Sequence, residues 1–390
     1  MPTYSRRIVG APVRHFGMLS TYPPKLCGLA TFAAALTSAL RDDGHRVDVV
    51  RVNDGNEPAA IGHAVVGELV NGSPTSVRHA AAILSRCDSV IIQHEYGIFG
   101  GDDGDEVLEL LQALTAPAIV VLHTVPLHPS PHQRSVLEAV CVEAASVVVM
   151  TETAAQRLRS LYTVDDDAVE VIPHGAALAP SGASGTELVG RDRPQLLTWG
   201  LLGPGKGIEH VIDALALLTD LQPRLRYTVA GVTHPKVFAA KGDEYRHSLM
   251  RRAWSGGIAG SVHFDDTYRN VAQLTRFVAA SSLVVLPYDS RDQVTSGVLV
   301  DALAAGKPVI ATEFPHAVEL QDSGAVLVVP HGDPANLADA IRAVMCDPMV
   351  LSAMTEAAHL LAPSLSWASV AEQYVRLSAE FGQIDEPVAM

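Results

Sequence analysis

Residues 195–218 read QLLTWGLLGPGKGIEHVIDALALL, and the order of residue types in this stretch decides the fold. A mainly apolar run from Leu196 to Leu202 meets a glycine-rich turn, Gly203-Pro204-Gly205-Lys206-Gly207. Apolar residues at helical spacing then run from Ile208 to about Leu218. A strand that is apolar without alternation has both faces covered, as in parallel sheets layered with helices. The stretch therefore predicts strand, tight turn and helix. The same unit recurs outward in both directions. Towards the amino terminus lie the runs His15 to Ser20, Val47 to Val52, Ser89 to Gln93, Ala118 to His123, Ser146 to Met150 and Val169 to Pro173. Towards the carboxyl terminus lie Arg226 to Gly231, Leu283 to Tyr288, Pro308 to Thr312 and Ala325 to Pro330. Strands alternating with amphipathic stretches are the mark of the α/β class.

A chain of 390 residues exceeds the roughly 250–300 at which one hydrophobic core stops growing. Two doubly wound, Rossmann-like domains are predicted, facing each other across a cleft. The first covers residues 1–180 and the second 195–365. Their linker is placed at 181–194, inside the aperiodic Gly, Ser, Pro and Ala stretch from Ala176 to Pro194. Trp367, Val370, Ala371, Tyr374, Leu377 and Phe381 fall at helical spacing, which predicts a last amphipathic helix over about 366–385.

Charge narrows the function. With 28 Lys and Arg against 43 Asp and Glu, the formal net charge is −15, a poor match to phosphate-backbone binding, so no nucleic-acid partner is expected. The cysteines Cys27, Cys87, Cys141 and Cys346 form no C-x-x-C pair, which excludes zinc-ribbon and thioredoxin-like sites. Scattered cysteines in a long chain fit a reducing compartment. No run approaches the ~18 apolar residues of a membrane span, and the segment Met1 to Arg14 lacks the apolar core of a signal peptide. A soluble, cytoplasmic protein is expected.

Three turns carry candidate chemistry. Ser20 to Phe32 is a proline-rich loop that delivers Gly28 to a helix start, where free N–H groups and the helix dipole favour an anion, although a plain tight turn reads equally well. The turn at Gly203 to Gly207 offers Lys206 beside a second helix start; its spacing is not that of a Walker A loop. The third, Pro287 to Gly297, puts Thr295, Ser296, Gly297 and Val298 at a helix start, with Asp301, eight residues past Gln293, two turns into the helix. His123, His94 and His174 stand at strand ends, where open α/β sheets place ligands. No G-x-S-x-G elbow and no G-x-G-x-x-G fingerprint accompanies them, which leaves serine hydrolysis and dinucleotide binding without support.

Taken in order, four segments resemble a known family, the retaining glycosyltransferases of GT-B fold and family 4 type. Thr198 to Gly207 (TWGLLGPGKG) is similar to the family's G-R-L-x-x-x-K-G segment. Gln293 to Pro308 (QVTSGVLVDALAAGKP) is similar to E-G-F-G-x-x-x-x-E-A-x-A-x-G-x-P. The STYPPxxCGxATF stretch and Val171 to Gly175 (VIPHG) agree in order and spacing, so that the resemblance runs from about residue 15 to 380. It implies hexosyl transfer, of mannose or glucose, from a nucleotide sugar such as GDP-mannose or UDP-glucose to a carbohydrate or glycoconjugate acceptor. By position, Lys206 would hold the donor diphosphate, amides of Thr295 to Val298 its phosphate oxygens, and Asp301 the ribose hydroxyls. Gly28 would approach the diphosphate from the first domain, and His123 would contact the transferred sugar. Apart from the resemblance, the loop from His94 to Asp105, with His94, Glu95 and Tyr96 foremost, reads either as an acceptor wall or as a cover over the sheet edge. The resemblance further implies that the terminal helix packs back on the first domain.

Three departures accompany the resemblance. The family's arginine falls on Leu201, its first glutamate on Gln293 and its second on the shorter Asp301; Arg291 and Lys25 are the candidate replacements for the lost cation. Gln293 is no carboxylate nucleophile, which favours a front-face route in which a phosphate oxygen takes the acceptor proton. No metal and no cofactor is expected, because helix starts and Lys206 stabilise the leaving diphosphate. Two other readings remain, an inactive nucleotide-sugar-binding protein and a sugar-nucleotide epimerase on the same fold.

Overall fold

A computed structural model describes residues 13–25, 27–55, 64–179 and 193–381. The chain divides into two compact units, one running to Pro173 and resuming at Trp367, the other spanning His174–Ser366. Each is a parallel sheet covered by helices.

In the first unit the strands are β1 (His15–Ser20), β2 (Arg46–Asn53), β3 (Val65–Val70), β4 (Ser89–His94), β5 (Ala118–Leu122), β6 (Ser146–Val149) and β7 (Val169–Val171). They pair in the order β3-β2-β1-β4-β5-β6-β7, all parallel. The second unit holds β8 (Gln195–Trp199), β9 (Arg226–Ala230), β10 (Val262–Asp265), β11 (Leu283–Leu286), β12 (Val309–Thr312) and β13 (Val326–Val329). Their order is β10-β9-β8-β11-β12-β13, again parallel. In both sheets the strand order reverses beside the first strand, between β1 and β4 and between β8 and β11. Loops leaving the carboxyl ends of those strands diverge to opposite faces, which opens the crevice where such sheets bind ligands.

Central strands are buried along their whole length, as their unbroken Val, Ile and Leu content requires. The edge strands differ. β3 (VVGELV) alternates buried with more exposed positions and β10 (VHFD) is half-buried throughout. Neither has the continuous apolar signal, and neither is predicted from the sequence. The helix Trp367–Phe381 belongs to the first unit and buries Val370, Ala371, Tyr374 and Leu377 in its core. Phe32 meets Trp367 edge to face at 4.9 Å, and Arg14 donates to the Ser378 carbonyl at 2.9 Å.

Two boundaries need correction. The first unit ends at Pro173 rather than 180, because Ala176 already bridges to Ser366 and donates to the Leu365 carbonyl at 2.8 Å. The segment expected as linker lies mostly outside the described residues, as does most of the amino-terminal segment Met1 to Arg14. The helix carrying Asp301 runs from Gly297, which makes Asp301 its fifth residue, little more than one turn in rather than two. Among the described residues no helix is long and apolar enough to cross a membrane.

Candidate functional site

In the second unit, the turns after β8 and β11 are fitted to one another. Gly207 adopts φ +63°, and a Cβ there would stand 1.7 Å from the Pro287 carbonyl oxygen. Only glycine combines that left-handed backbone with so close an approach. The Asp289 amide donates to the Gly205 carbonyl at 3.0 Å, and His210 Nε2 lies 3.2 Å from Asp289 Oδ1. With both turns pinned, Lys206 Nζ rests 4.5 Å from the centroid of the Tyr288 ring.

Tyr288 is itself fixed, since its carbonyl accepts from Thr312 Oγ1 at 2.6 Å and faces His331 Nδ1 at 2.8 Å. No carboxylate among the described residues pairs with Lys206. Burial holds the ammonium pKa below its ordinary value, and the ring beneath compensates part of the lost hydration. A partly desolvated cation of this kind is a receptor for an anion.

Leu201 is exposed and brings no charge to this turn. The replacement cations are engaged elsewhere. Arg291 lies 3.8 Å from Glu313, and Lys25, in the first unit, lies 3.4 Å from Asp54.

The helix Gly297–Ala304 begins where the β11 turn ends. Ser296 caps it, its Oγ accepting from Leu299 N at 3.3 Å. The Ser296 amide, one of the N–H groups assigned to phosphate, donates instead to His316 Nδ1 at 2.9 Å. That assignment is corrected: the N–H groups that the helix geometry leaves without an intrahelical acceptor are those of Gly297 and Val298. Thr295 uses its carbonyl to accept from Gln293 Nε2 at 3.2 Å, so the Gln293 amide folds back on its own loop. Gly297 packs closely on His174: a Cβ there would stand 2.9 Å from His174 Nε2, so any larger residue has to displace the ring.

His174 and His316 are kept neutral at this helix start. Burial lowers each to a pKa of about 4. Asp301 makes no side-chain hydrogen bond or ion pair among the described residues, and burial pushes its carboxyl up to about 7. It is an acceptor short of donors.

In the first unit, Gly28 opens the helix Gly28–Asp42 with Cys27 as cap. A Cβ at Gly28 would meet nothing within 4 Å, so this helix start is open. His123 sits just past β5 with Nε2 2.7 Å from Gln93 Oε1 and its ring edge-on to Phe32 at 5.0 Å. Gln93 thereby sets the direction of the imidazole.

Of the residues assigned to an acceptor wall, His94 is buried while Glu95 and Tyr96 are half-buried. His94 is fully buried, neither ring nitrogen has a hydrogen-bond partner among the described residues, and burial lowers its pKa to about 4. Glu95 accepts from Thr124 Oγ1 at 2.5 Å, and the Tyr96 hydroxyl donates to the Gln133 carbonyl at 3.2 Å. Local spacing marks Tyr288 only as part of a turn and does not single out Gln93 or His316. Their roles come from partners 20 or more residues away, for which a single sequence gives no signal.

Comparison with known proteins follows the same division. Residues 193–347 match the family model of glycosyl transferases group 1, and residues 27–179 that of glycosyltransferase family 4. A D-inositol 3-phosphate glycosyltransferase of Nocardioides sp. is 30% identical over 271 residues, covering 65% of this chain and 58% of that protein. The enzyme of the same name from Corynebacterium glutamicum is 30% identical over 260 residues, 63% of this chain and 60% of its own length. The chain thus spans less than two thirds of the curated relatives it matches. Among solved structures, Anabaena HepE in complex with UDP superposes with a TM-score of 0.75 at 18% identity, over 94% of this chain and all of that one. Sucrose-phosphate synthase from Thermosynechococcus elongatus gives 0.73 at 18% identity, over 95% and 100%.

Proposed function

The chain belongs to the group 1, family 4 glycosyltransferases of GT-B fold, and from that premise we propose that it moves a hexose from a nucleoside-diphosphate sugar to a carbohydrate or glycoconjugate acceptor. The observation that carries the reading is the Lys206 ammonium, held over Tyr288 without a carboxylate and on the same sheet edge as the Gly297 helix start. That pairing suits a leaving group that gains negative charge as its bond to the sugar breaks.

The proposed chemistry assigns each unit its part. In the second, Lys206 and the amides of Gly297 and Val298 stabilise the departing diphosphate; charge-assisted donors of this kind contribute a few kcal/mol each in a dry site. The Asp301 carboxylate accepts from the ribose hydroxyls. In the first, His123, aimed by Gln93, contacts the transferred sugar, and the open helix start at Gly28 admits the diphosphate. Gln293 offers an amide rather than a carboxylate, so the configuration is retained by front-face attack, with a phosphate oxygen taking the acceptor proton. The transfer is proposed to need no metal, the donors named here serving the diphosphate. Mannose and glucose are the sugars proposed, with GDP-mannose and UDP-glucose as donors. The names of the inositol phosphate relatives add a phosphorylated cyclitol to the acceptors to be tried.

The test is incubation with each donor and a panel of sugar, glycolipid and cyclitol phosphate acceptors. Release of nucleoside diphosphate, with a product keeping the donor's anomeric configuration by NMR, supports the reading; absence of product with every pair refutes it. A second reading, a nucleotide-sugar-binding protein without turnover, is favoured by Leu201 and Gln293 standing where the family motifs have charge. It requires donor binding with neither transfer nor donor hydrolysis.

A further inference from the structure

His15, Asp48 and Cys87 bring one nitrogen, one oxygen and one sulfur ligand together at the amino end of the first unit's sheet. His15 opens β1, Asp48 lies near the start of β2, and Cys87 sits just before β4, so the three come from the sheet's central strands. His15 Nε2 stands 2.9 Å from Asp48 Oδ2 and 3.7 Å from Cys87 Sγ, and all three ligand atoms lie within 4.8 Å of one another. A tetrahedral ion with bonds of ~2.0–2.3 Å holds its ligands about 3.3–3.8 Å apart. Small side-chain adjustments bring this set to that spacing.

The backbone around the trio is already fixed. His15 N donates to Asp88 Oδ2 and Asp88 N to the His15 carbonyl, both at 2.7 Å. The sulfur is packed beside β1, where a Cβ on Gly17 would lie 3.4 Å from it. Cys87 is buried while His15 and Asp48 are partly open to solvent, so an ion has a way in and a dry side to rest against.

We propose that His15, Asp48 and Cys87 form a binding site for a divalent transition ion of the zinc type, with water completing four ligands. Thiolate, imidazole and carboxylate together suit a borderline-soft cation and not Mg²⁺ or Ca²⁺. Binding replaces the Cys87 thiol proton by the metal bond and releases that proton to solvent. Without metal the thiol stays protonated: burial, then the Asp48 and Asp88 carboxylates, push it up to about 12 against the opposing pull of Arg46. The ion would clasp β1, β2 and the segment entering β4. It lies about 16 Å along β1 from the carboxyl edge, at ~3.3 Å per residue, so its role is structural and independent of the proposed transfer.

The full-length protein, stripped with EDTA, is titrated with CoCl₂ and then ZnCl₂. A near-ultraviolet thiolate-to-cobalt band saturating at one ion per chain is expected, displaced by Zn²⁺, absent in Cys87→Ser, and formed at least about tenfold more weakly in His15→Ala. Zn²⁺ should raise the melting temperature of the wild type and leave Cys87→Ser unmoved. No band in the folded wild type, or a band that survives Cys87→Ser, overturns the site. Should Cys87→Ser fail to fold, Asp48→Asn is read in the same titration: weaker binding supports the site, and wild-type affinity overturns it.

Discussion

The Ser296 amide donates to Nδ1 of His316 at 2.9 Å, inside the second unit and at the mouth of the Gly297 helix. This bond exists only while Nδ1 is unprotonated, and burial supplies that state. His316→Ala leaves a buried N–H without an acceptor and removes a packed ring, a cost of about 1–3 kcal/mol for the orphaned donor alone. Urea denaturation of the variant is expected to show a lowered midpoint with unchanged slope.

Acid should weaken the fold with a definite sign. His94, His174 and His316 each have a folded pKa near 4 against 6.5 unfolded, so the unfolded chain binds more protons between those values. Their stability is present above pH 6.5 and is lost as pH falls towards 4. Asp301 acts oppositely: its pKa rises from 3.8 to about 7, so its contribution is greatest at low pH and declines as pH rises through that window. Denaturation across pH 4–7 should therefore show stability falling on acidification. Asp301→Asn should steepen that fall, and a shallower profile in the variant would refute the assignment.

The close approach of Gly207 to Pro287 gives a steric expectation. Gly207→Ala places a methyl 1.7 Å from a backbone oxygen at φ +63°, so one turn must move. A loss of roughly 1–3 kcal/mol is expected from the strained backbone, together with weaker donor binding because Lys206 precedes the displaced residue. The readouts are chemical denaturation and donor titration on the same preparation.

His123 and Gln93 provide a test confined to the first unit. His123→Ala should lower turnover by at least tenfold with the melting temperature near that of the wild type, on the scale of a lost transition-state contact of ~1.4 kcal/mol or more. Gln93→Leu removes the partner at 2.7 Å and should lower kcat more than it raises KM, since it disturbs aim rather than contact. Unchanged kinetics in both variants would remove His123 from the reaction.

Much of the fold is legible in the residues themselves. Strand, turn and helix follow from continuous apolar runs and glycine placement, and Lys206, Gly28 and Gly297 stand out because their turns break periodicity. What escapes has physical reasons. β3 and β10 are edge strands whose mixed residues carry no unbroken signal. The unit boundary at Pro173 depends on a bridge between Ala176 and Ser366, far apart in the chain. The engagement of Ser296 by His316, and the Tyr288 ring beneath Lys206, are tertiary facts that local spacing does not encode.

Lys206, unpaired over the Tyr288 ring, is proposed to be held there for a sugar diphosphate. Isothermal titration of UDP-glucose and GDP-mannose into the wild type and Lys206→Ala, with folding checked by circular dichroism, tests it most directly. The expected result is saturable binding of one donor by the wild type, weakened in Lys206→Ala by roughly ten- to a hundredfold, as for loss of a charged hydrogen bond. Equal affinity in the two proteins, or no binding of either donor by the wild type, would contradict it.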